Sequence, residues 1–469
     1  MTPIDRADMQ GNILDGYNYD HVQHGFAGFT SGRAKRAPSR LLPELTSATP
    51  WNGAPQSALN FGVSHLGLRA LGLDEHWLRS FPEAFREGMR SRAEALGDDV
   101  DAYDKEWRNA VHLWLWVHAR DRRTLKERVQ TLLDKLDGDI ERVFFLDGTR
   151  LRNQQNQPIE HFGFRDGISQ PHVLGSLKPA RPGDGTPAED GEWRPLATGE
   201  LVLGHSDETG ALASASAPGA LSANATFAVF RKLEQDVGKF QAYLHEQAQK
   251  LHVSDWRWLA ERMVGRRLNG SALVHPSHMP EGQLNNFTFN ADEAGRGCPL
   301  GSHIRRANPR GSEGFPDSFA RHRIVRRSVT YGEAFDPQRQ NDDGQRGILF
   351  VALNADIERQ FEFLQRLYMN DGAAPRQGHD TDPVAGPHSA HFVIPGDARE
   401  SRKTLICTQL PSFVTCRGGE YFMLPGRRGL ELMLQTALEL ARPVPDTRAV
   451  TTDAPLSAEE PRHPREVTP

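Results

Sequence analysis

The chain has 469 residues, 38% of them hydrophobic, and a formal net charge of −5 at pH 7. That length suits roughly two to four domains, and the charge offers no general attraction for nucleic acid or an anionic membrane. The three cysteines, Cys298, Cys407 and Cys416, make no CxxC or CxxCH pattern. A reducing compartment is expected, without thioredoxin chemistry or cofactor attachment at a CxxCH motif.

The opening MTPIDRADMQ carries acids early and no apolar core, so neither a secretory signal nor a transit peptide is expected. The longest apolar runs, such as residues 347–354, are far too short to span a bilayer. A cytoplasmic protein follows as the expectation. In chain order, AVHLWLWVHA (110–119) reads as a strand, residues 121–136 as an amphipathic helix and ERVFFLDG (141–148) as a second strand. Residues 175–224 are rich in Gly, Pro, Ala and Ser and read as a surface insertion or linker. TFAVFRKL (226–233) predicts a strand before a helix over 234–251. GILFVALN (347–354) predicts a buried strand running into a helix with Ile357, Phe361, Leu364 and Tyr368 on one face. The Pro-rich end, 441–469, reads as a disordered tail. Each half carries its own strands and helices, and long non-helical stretches interrupt any regular alternation. The expectation is α+β, with two domains over 1–205 and 206–440 rather than one sheet.

Three stretches carry chemistry. In EHFGFRDGISQP (160–171), Asp166 sits between Gly163 and Gly167. Flanking glycines permit positive φ and close approach of a bulky planar group; an Asp-Gly turn bonded to its own backbone has the same look. In GRGCPLGSHIRRANPR (295–310), Pro299 suits the first turn of a short helix and Asn308-Pro309 its end. His303 lies inside, rigid enough to ligate a metal, although most of the 19 histidines must be packed or solvated. RIVRRSVTYG (323–332) alternates like a strand. Ile324, Arg326, Ser328 and Thr330 share one face, and Val325, Arg327, Val329 and Tyr331 the other. Alternation alone does not choose between Arg326 and Arg327, or exclude two solvated edge arginines.

These stretches, with DMQGNILDGY (8–17), FPEAFREGMRSRAEALGD (81–98), FRKLEQDV (230–237), MVGRRLNGSALV (263–274), RGILFVALNADIERQFEFLQ (346–365) and GGEYFMLPG (418–426), stand in the order found in dye-decolorising peroxidases. Over about residues 8–430 the chain resembles the long C/D-type, or class V, subfamily, with the GxxDG motif at 163–167. The resemblance implies two ferredoxin-like domains and one haem b per chain, held mainly by the C-terminal half. It implies His303 as axial iron ligand and Asp166 with Arg326 on the distal side, the family spacing selecting Arg326 over Arg327. It implies further cofactor contacts from Gly163, Phe164, Arg165, Gly167, Ile168 and Arg305. Thr330 stands where many relatives have Pro, a departure expected to loosen the strand end slightly.

A partner on the second imidazole nitrogen would raise the donor strength of His303. The loop QGHDTDPVAG (377–386) offers Asp382, which alternatively caps a turn before Pro383. Splitting hydrogen peroxide needs a group that moves a proton between its oxygens and a cation that stabilises developing charge. Asp166 and Arg326 supply those types. An aspartate in that place implies an acidic pH optimum, because ordinary aspartates titrate near ~4. The donors implied are bulky dyes and phenolic or other aromatic molecules, oxidised one electron at a time, in part through surface rings. Candidates for such rings are Trp193, Trp256, Trp258, Tyr331 and Tyr421, whereas Trp114 and Trp116 look like packing. Asp98, Asp99 and Asp101 form either a surface Mn²⁺ site or a solvated charge run. Cys298 reads as a buried structural thiol. A haem carrier, a chlorite-degrading relative and a non-catalytic protein with a packed His303 are the rival readings. Monomer and homo-oligomer are left open.

Overall fold

The computed structural model describes residues 4–188, 190–212, 219–311, 317–338, 344–373, 378–398 and 402–439; the expected tail over 441–469 lies outside the described residues. The N-terminal half contributes four strands: β1 (His21–Phe29), β2 (Ser57–Val63), β3 (Leu113–Ala119) and β4 (Ile140–Thr149). They pair antiparallel in the order β4-β1-β3-β2. The C-terminal half contributes β5 (Thr226–Gln235), the short pair β6 (Val325–Arg326) and β7 (Val329–Tyr331), β8 (Gly347–Asn354) and β9 (Val414–Leu424). Its order is β9-β5-β8, with β6 and β7 both on the far edge of β8. Counting β6 and β7 as one interrupted strand, both halves read 4-1-3-2. With helices in the connections, this is the ferredoxin-like arrangement.

The two ladders meet at a single residue pair, Val63 with Met423. At the opposite edges, Thr330 Oγ1 on β7 donates to Thr149 O on β4 (2.6 Å) and accepts from Leu151 N (2.9 Å). Strand 2 of each half therefore meets strand 4 of the other, and, against the expectation of separate sheets, the two ladders join through Val63–Met423 into one nine-stranded sheet around a shared core. Thr330 anchors its strand rather than loosening it, because its hydroxyl does what a proline cannot.

The shared core is aromatic. Trp114 and Trp116, both 0% exposed, stack at 4.9 Å. Trp114 also meets Phe422 at 5.3 Å and Phe230 at 5.9 Å, from the other sheet. Its indole Nε1 donates to His24 Nδ1 (3.1 Å), and burial pushes His24 down to about 3, so the imidazole is a neutral acceptor. Trp114→Ala should cost about 3–5 kcal/mol in urea unfolding; a loss below about 1 kcal/mol would mean the inter-sheet core is not a single packed unit.

Helix ends follow local capping. Asp121 accepts from Thr124 N at the start of α1 (Arg122–Lys135), and Asp236 from Lys239 N at the start of α2 (Val237–Lys250). Three expectations need correction. The helix after β8 is wound as π over Glu358–Met369 rather than α. The 175–224 stretch is not simply a surface linker: Leu196, Leu201, Val202 and Leu203 are at most 2% exposed, an apolar group masked by its Gly- and Pro-rich surroundings. The 323–332 strand breaks at Arg327–Ser328, where Val351 N donates to the Ser328 hydroxyl instead of a backbone carbonyl.

Candidate active site

Between α3 (His303–Ala307), the π-wound segment and the loop 160–171 lies a cavity of about 310 Å³, within the ~300–1,000 Å³ range of cofactor clefts. Its walls are mostly apolar, from Phe164, Ile168, Val264, Phe361, Leu364 and Met369 among others. His303 lines it. α3 begins at the Ser302 N-cap, not at Pro299, which instead closes the preceding turn by accepting from Ser302 N (3.0 Å).

His303 Nδ1 lies 3.1 and 3.0 Å from the two oxygens of Asp382. Asp382 Oδ1 also accepts from Val384 N (2.9 Å) and Ala385 N (2.8 Å), so the loop cap and the histidine partner are the same carboxylate. Burial opposes protonation of His303, but the charge and hydrogen bond of Asp382 hold the imidazole above its ordinary value. Burial would raise Asp382; the attraction of His303 and Arg306 and the Ala385 N–H hold it below the usual carboxylate range. This clamp fixes Nδ1 as the donor and leaves Nε2 for the cavity.

Asp166 and Arg326 line the same cavity, with Arg326 Nη1 3.9 Å from Asp166 Oδ1. Asp166 Oδ1 also accepts from Gly167 N (2.6 Å), so the residue closes an Asp-Gly turn and faces the cavity as well. Gly163 and Gly167 have φ of 98° and 76°, which explains glycine there. A Cβ at Gly167 would meet nothing within 4 Å, so backbone conformation rather than crowding selects it. Arg326 is held by Gln170 Oε1, accepting from its N–H (3.0 Å), and by Ser169 O, accepting from Nη2 (3.2 Å). Arg327 points the other way and donates to Asn12 O, Ile13 O and Leu14 O.

Other expected contacts divide. Phe164, Gly167, Ile168 and Arg165 line the cavity, Arg165 as a bidentate partner of Glu281 (2.8 and 2.7 Å). Gly163 shapes the turn without lining the cavity. Arg305, expected on the cofactor, is turned away. It is 0% exposed, donates to Cys298 O and Asp292, and lies 4.5 Å from the Phe289 ring centre. Residues two apart on a helix do not share a face, so His303 and Arg305 diverge. Cys298 packs among Ala272, Phe287 and Phe289, its thiol pushed up to about 11 by burial.

Besides Arg231, which is paired with Asp98, sequence reasoning misses four charged cavity residues: Glu160, Arg266, Arg310 and Arg323. These last three arginines are 6%, 2% and 7% exposed. Burial pulls Arg266 and Arg323 down to about 10 and Arg310 well below its ordinary value; Arg323 and Arg266 depress Arg310 further, and Arg326 depresses Arg266 and Arg323. Asn285 Oδ1 accepts from both Arg266 (2.9 Å) and Arg310 (2.7 Å). The available signal was arginine inside otherwise apolar or turn-forming stretches. A second cavity, about 710 Å³, adjoins the first and shares Arg165, Asp166, Gly167 and Arg326 with it.

The surface-ring candidates are poorly placed. Tyr421 is 0% exposed and donates to Glu362 (2.8 Å), and Tyr331 is 9% exposed. Guanidinium carbons lie 5.3 Å from the Trp193 ring centre (Arg310), 4.8 Å from Trp256 (Arg257) and 3.4 Å from Trp258 (Arg262). A cation there opposes removal of an electron. Asp98 is paired with Arg231, and Asp99 caps a turn at Asp101 N. Among the described residues no group of three or more His, Cys, Asp or Glu side chains could hold a metal. Nor is any described helix long and apolar enough to cross a membrane.

An apolar cleft with a carboxylate-clamped imidazole, buried guanidiniums and a nearby Asp–Arg couple fits haem, whose faces are apolar, whose iron takes an imidazole and whose carboxylates need cations. On two ferredoxin-like halves, that combination defines a class of haem peroxidase. Residues 43–152 match the family model described as the DyP dimeric alpha+beta barrel domain, and residues 215–398 the Dyp-type peroxidase C-terminal model. The multifunctional dye peroxidase DyP2 of Amycolatopsis sp. is 30% identical over 89% of this chain and 93% of its own. Among solved structures, an ancestral D-type dye-decolorising peroxidase superposes with a TM-score of 0.79 at 26% identity, covering 92% of this chain and 100% of the other. A dye-decolorising peroxidase in complex with 2,6-dimethoxyphenol gives 0.76 at 26% identity, covering 92% and 99%. The chain belongs to the dye-decolorising peroxidase family: it is a haem peroxidase that uses hydrogen peroxide to oxidise dyes and other aromatic donors.

Proposed function

We propose that one haem b binds per chain and that His303 Nε2 would hold its iron. Arg266, Arg310 and Arg323 would hold its carboxylates. When bound, the haem supplies the two electrons that cleave the peroxide O–O bond, and two aromatic donors return them singly. Asp166 takes the proton from one peroxide oxygen and delivers it to the other. Arg326 orients the peroxide and stabilises the departing negative charge. Asp382 keeps His303 strongly donating.

The observation that carries this reading is the His303–Asp382 clamp in the same cavity as the Asp166–Arg326 couple. A haem carrier needs the first and has no use for the second. Small phenolic donors, of the kind seen in the 2,6-dimethoxyphenol complex of a relative, reach the site through the adjoining cavity. The test is an absorbance spectrum of the purified protein before and after one equivalent of hydrogen peroxide. A Soret band that changes with peroxide supports the enzyme; an unresponsive band supports carriage; no band after adding haemin sinks both.

Asp382→Asn keeps the shape of the clamp but removes its charge. The expected result is a raised ferric/ferrous potential by spectroelectrochemistry and about 10- to 100-fold slower reaction with peroxide. An unchanged potential would reduce Asp382 to a loop cap.

A further inference from the structure

Glu160 lies in the same loop as Asp166 and lines the same cavity. Its carboxylate gathers three neutral donors. Oε2 accepts from Phe162 N (2.8 Å) and from Gln235 Nε2 (2.6 Å), and Oε1 accepts from Phe164 N (2.8 Å). The backbone closes the same turn: Glu160 N donates to Phe164 O (3.0 Å) and Gly163 N to Glu160 O (2.9 Å). Asp166 leaves this turn directly, with its N–H on Pro158 O (3.1 Å). Gln235 ends β5, the strand between β9 and β8 in the C-terminal sheet. This side-chain hydrogen bond ties the Asp166 loop of the N-terminal half to the half that carries His303, alongside Arg165 on Glu281 and Arg326 on Ser169 and Gln170.

We propose that Glu160, acting through Gln235, is the positioning residue that sets Asp166 against Arg326. The inference rests on the peroxidase reading of the site. An ionisable group held by amides and, among the described residues, by no salt-bridge partner serves geometry better than charge pairing. The gap it governs is narrow. Asp166 and Arg326 stand 3.9 Å apart, and a misplacement of ~1 Å in such a couple costs on the order of 100-fold in rate.

The tie also survives acid. Burial, reinforced by the charge of Asp166, pushes the Glu160 carboxyl up to about 7 against the pull of its three donors. His303 feels the charge of Glu160 as well. Gln235 Oε1 is buried and has no hydrogen-bond partner among the described residues. Turning the Gln235 amide over presents that oxygen to a protonated Glu160, so the same two side chains stay joined in either charge state.

Glu160→Gln sets an amide nitrogen against at least one backbone N–H. Its reaction with hydrogen peroxide, followed by stopped flow, should slow about 10- to 100-fold. The Soret absorbance per chain and the KM for 2,6-dimethoxyphenol should not move. Amides of residues 160–167 should exchange faster with deuterium, with haem bound and without it. Gln235→Leu should show the same pattern more weakly, and the double variant should be no slower than Glu160→Gln, because both act through one tie. A Glu160→Gln protein that reacts at the wild-type rate, or slows only in proportion to haem lost, overturns the proposal. If that variant does not fold, Gln235→Leu decides: wild-type rate and exchange overturn it. Wild-type protein that binds haem and ignores peroxide fails the peroxidase reading instead, and the exchange result still tests the tie.

Discussion

Asp166→Asn should slow the reaction with hydrogen peroxide by about 10²- to 10⁴-fold while haem stays bound. Asparagine is nearly isosteric, and its side-chain oxygen still accepts from Gly167 N, so the turn at 166–167 survives. What is lost is a group able to take a proton from one peroxide oxygen and return it to the other. Arg326→Leu removes charge stabilisation instead, and about 10²- to 10³-fold is expected. Arg327→Leu is the control. Arg327 lies out of reach, bonded to the carbonyls of Asn12, Ile13 and Leu14. Its loss should lower the melting temperature and leave the peroxide rate per bound haem within about twofold, because its guanidinium does not line this cavity and meets Arg326 only at the backbone carbonyl. Stopped-flow Soret traces separate these outcomes. An Asp166→Asn rate within threefold of wild type would move the proton-transfer role elsewhere and leave Arg326 as the dominant group.

Much of this arrangement is legible in the sequence because it is local. Capping aspartates, the alternation around Trp114 and Trp116, and glycines beside Asp166 are each readable within a few residues. The choice between Arg326 and Arg327 is not. Alternation leaves it open and the family resemblance makes it; in the structure Arg326 ends β6, paired with Ala352, and Arg327 falls in the break before β7. Arg305 fails for the converse reason: adjacency to His303 in sequence is divergence on a helix. Glu160 and Gln235 are 75 residues apart, and neither stretch alone says that a carboxylate in one needs an amide from the other. The π winding is likewise invisible. Ile357, Phe361, Leu364 and Tyr368 are buried under either helix, so the periodicity cannot tell the two apart. The two-domain expectation rests on interrupted alternation, yet the halves share one core, because each sheet covers the other across the single pair Val63–Met423.

Arg310→Leu should weaken haem binding by about 2 kcal/mol, or ~30-fold, the scale of a lost charge-assisted hydrogen bond. The guanidiniums of Arg266, Arg310 and Arg323 stand beside the cavity, each pulled down by burial, and Asp184 is the carboxylate whose charge offsets that burial for all three. Their positive charge is therefore undercompensated until an anion enters. Arg310 is the most constrained of them. Its backbone takes φ 47°, rare for a non-glycine residue. Its side chain donates to Asn285 O (3.0 Å), Asn285 Oδ1 (2.7 Å) and Phe287 O (3.2 Å). Strain of this kind persists only where surrounding contacts over-determine the residue, and here they fix a guanidinium at the cavity wall. Leucine removes the charge and leaves those acceptors unfilled, so the haem-free protein should lose stability as well. The discriminating quantity is the rise in melting temperature on loading haem: it should shrink in Arg310→Leu and recover in part in Arg310→Lys, which restores charge without the fork. Haem transfer to an excess of apomyoglobin gives the same comparison as a rate. If Arg310→Leu holds haem as firmly as wild type, the three arginines serve the protein's own carbonyls, and the cofactor's carboxylates lie toward another wall.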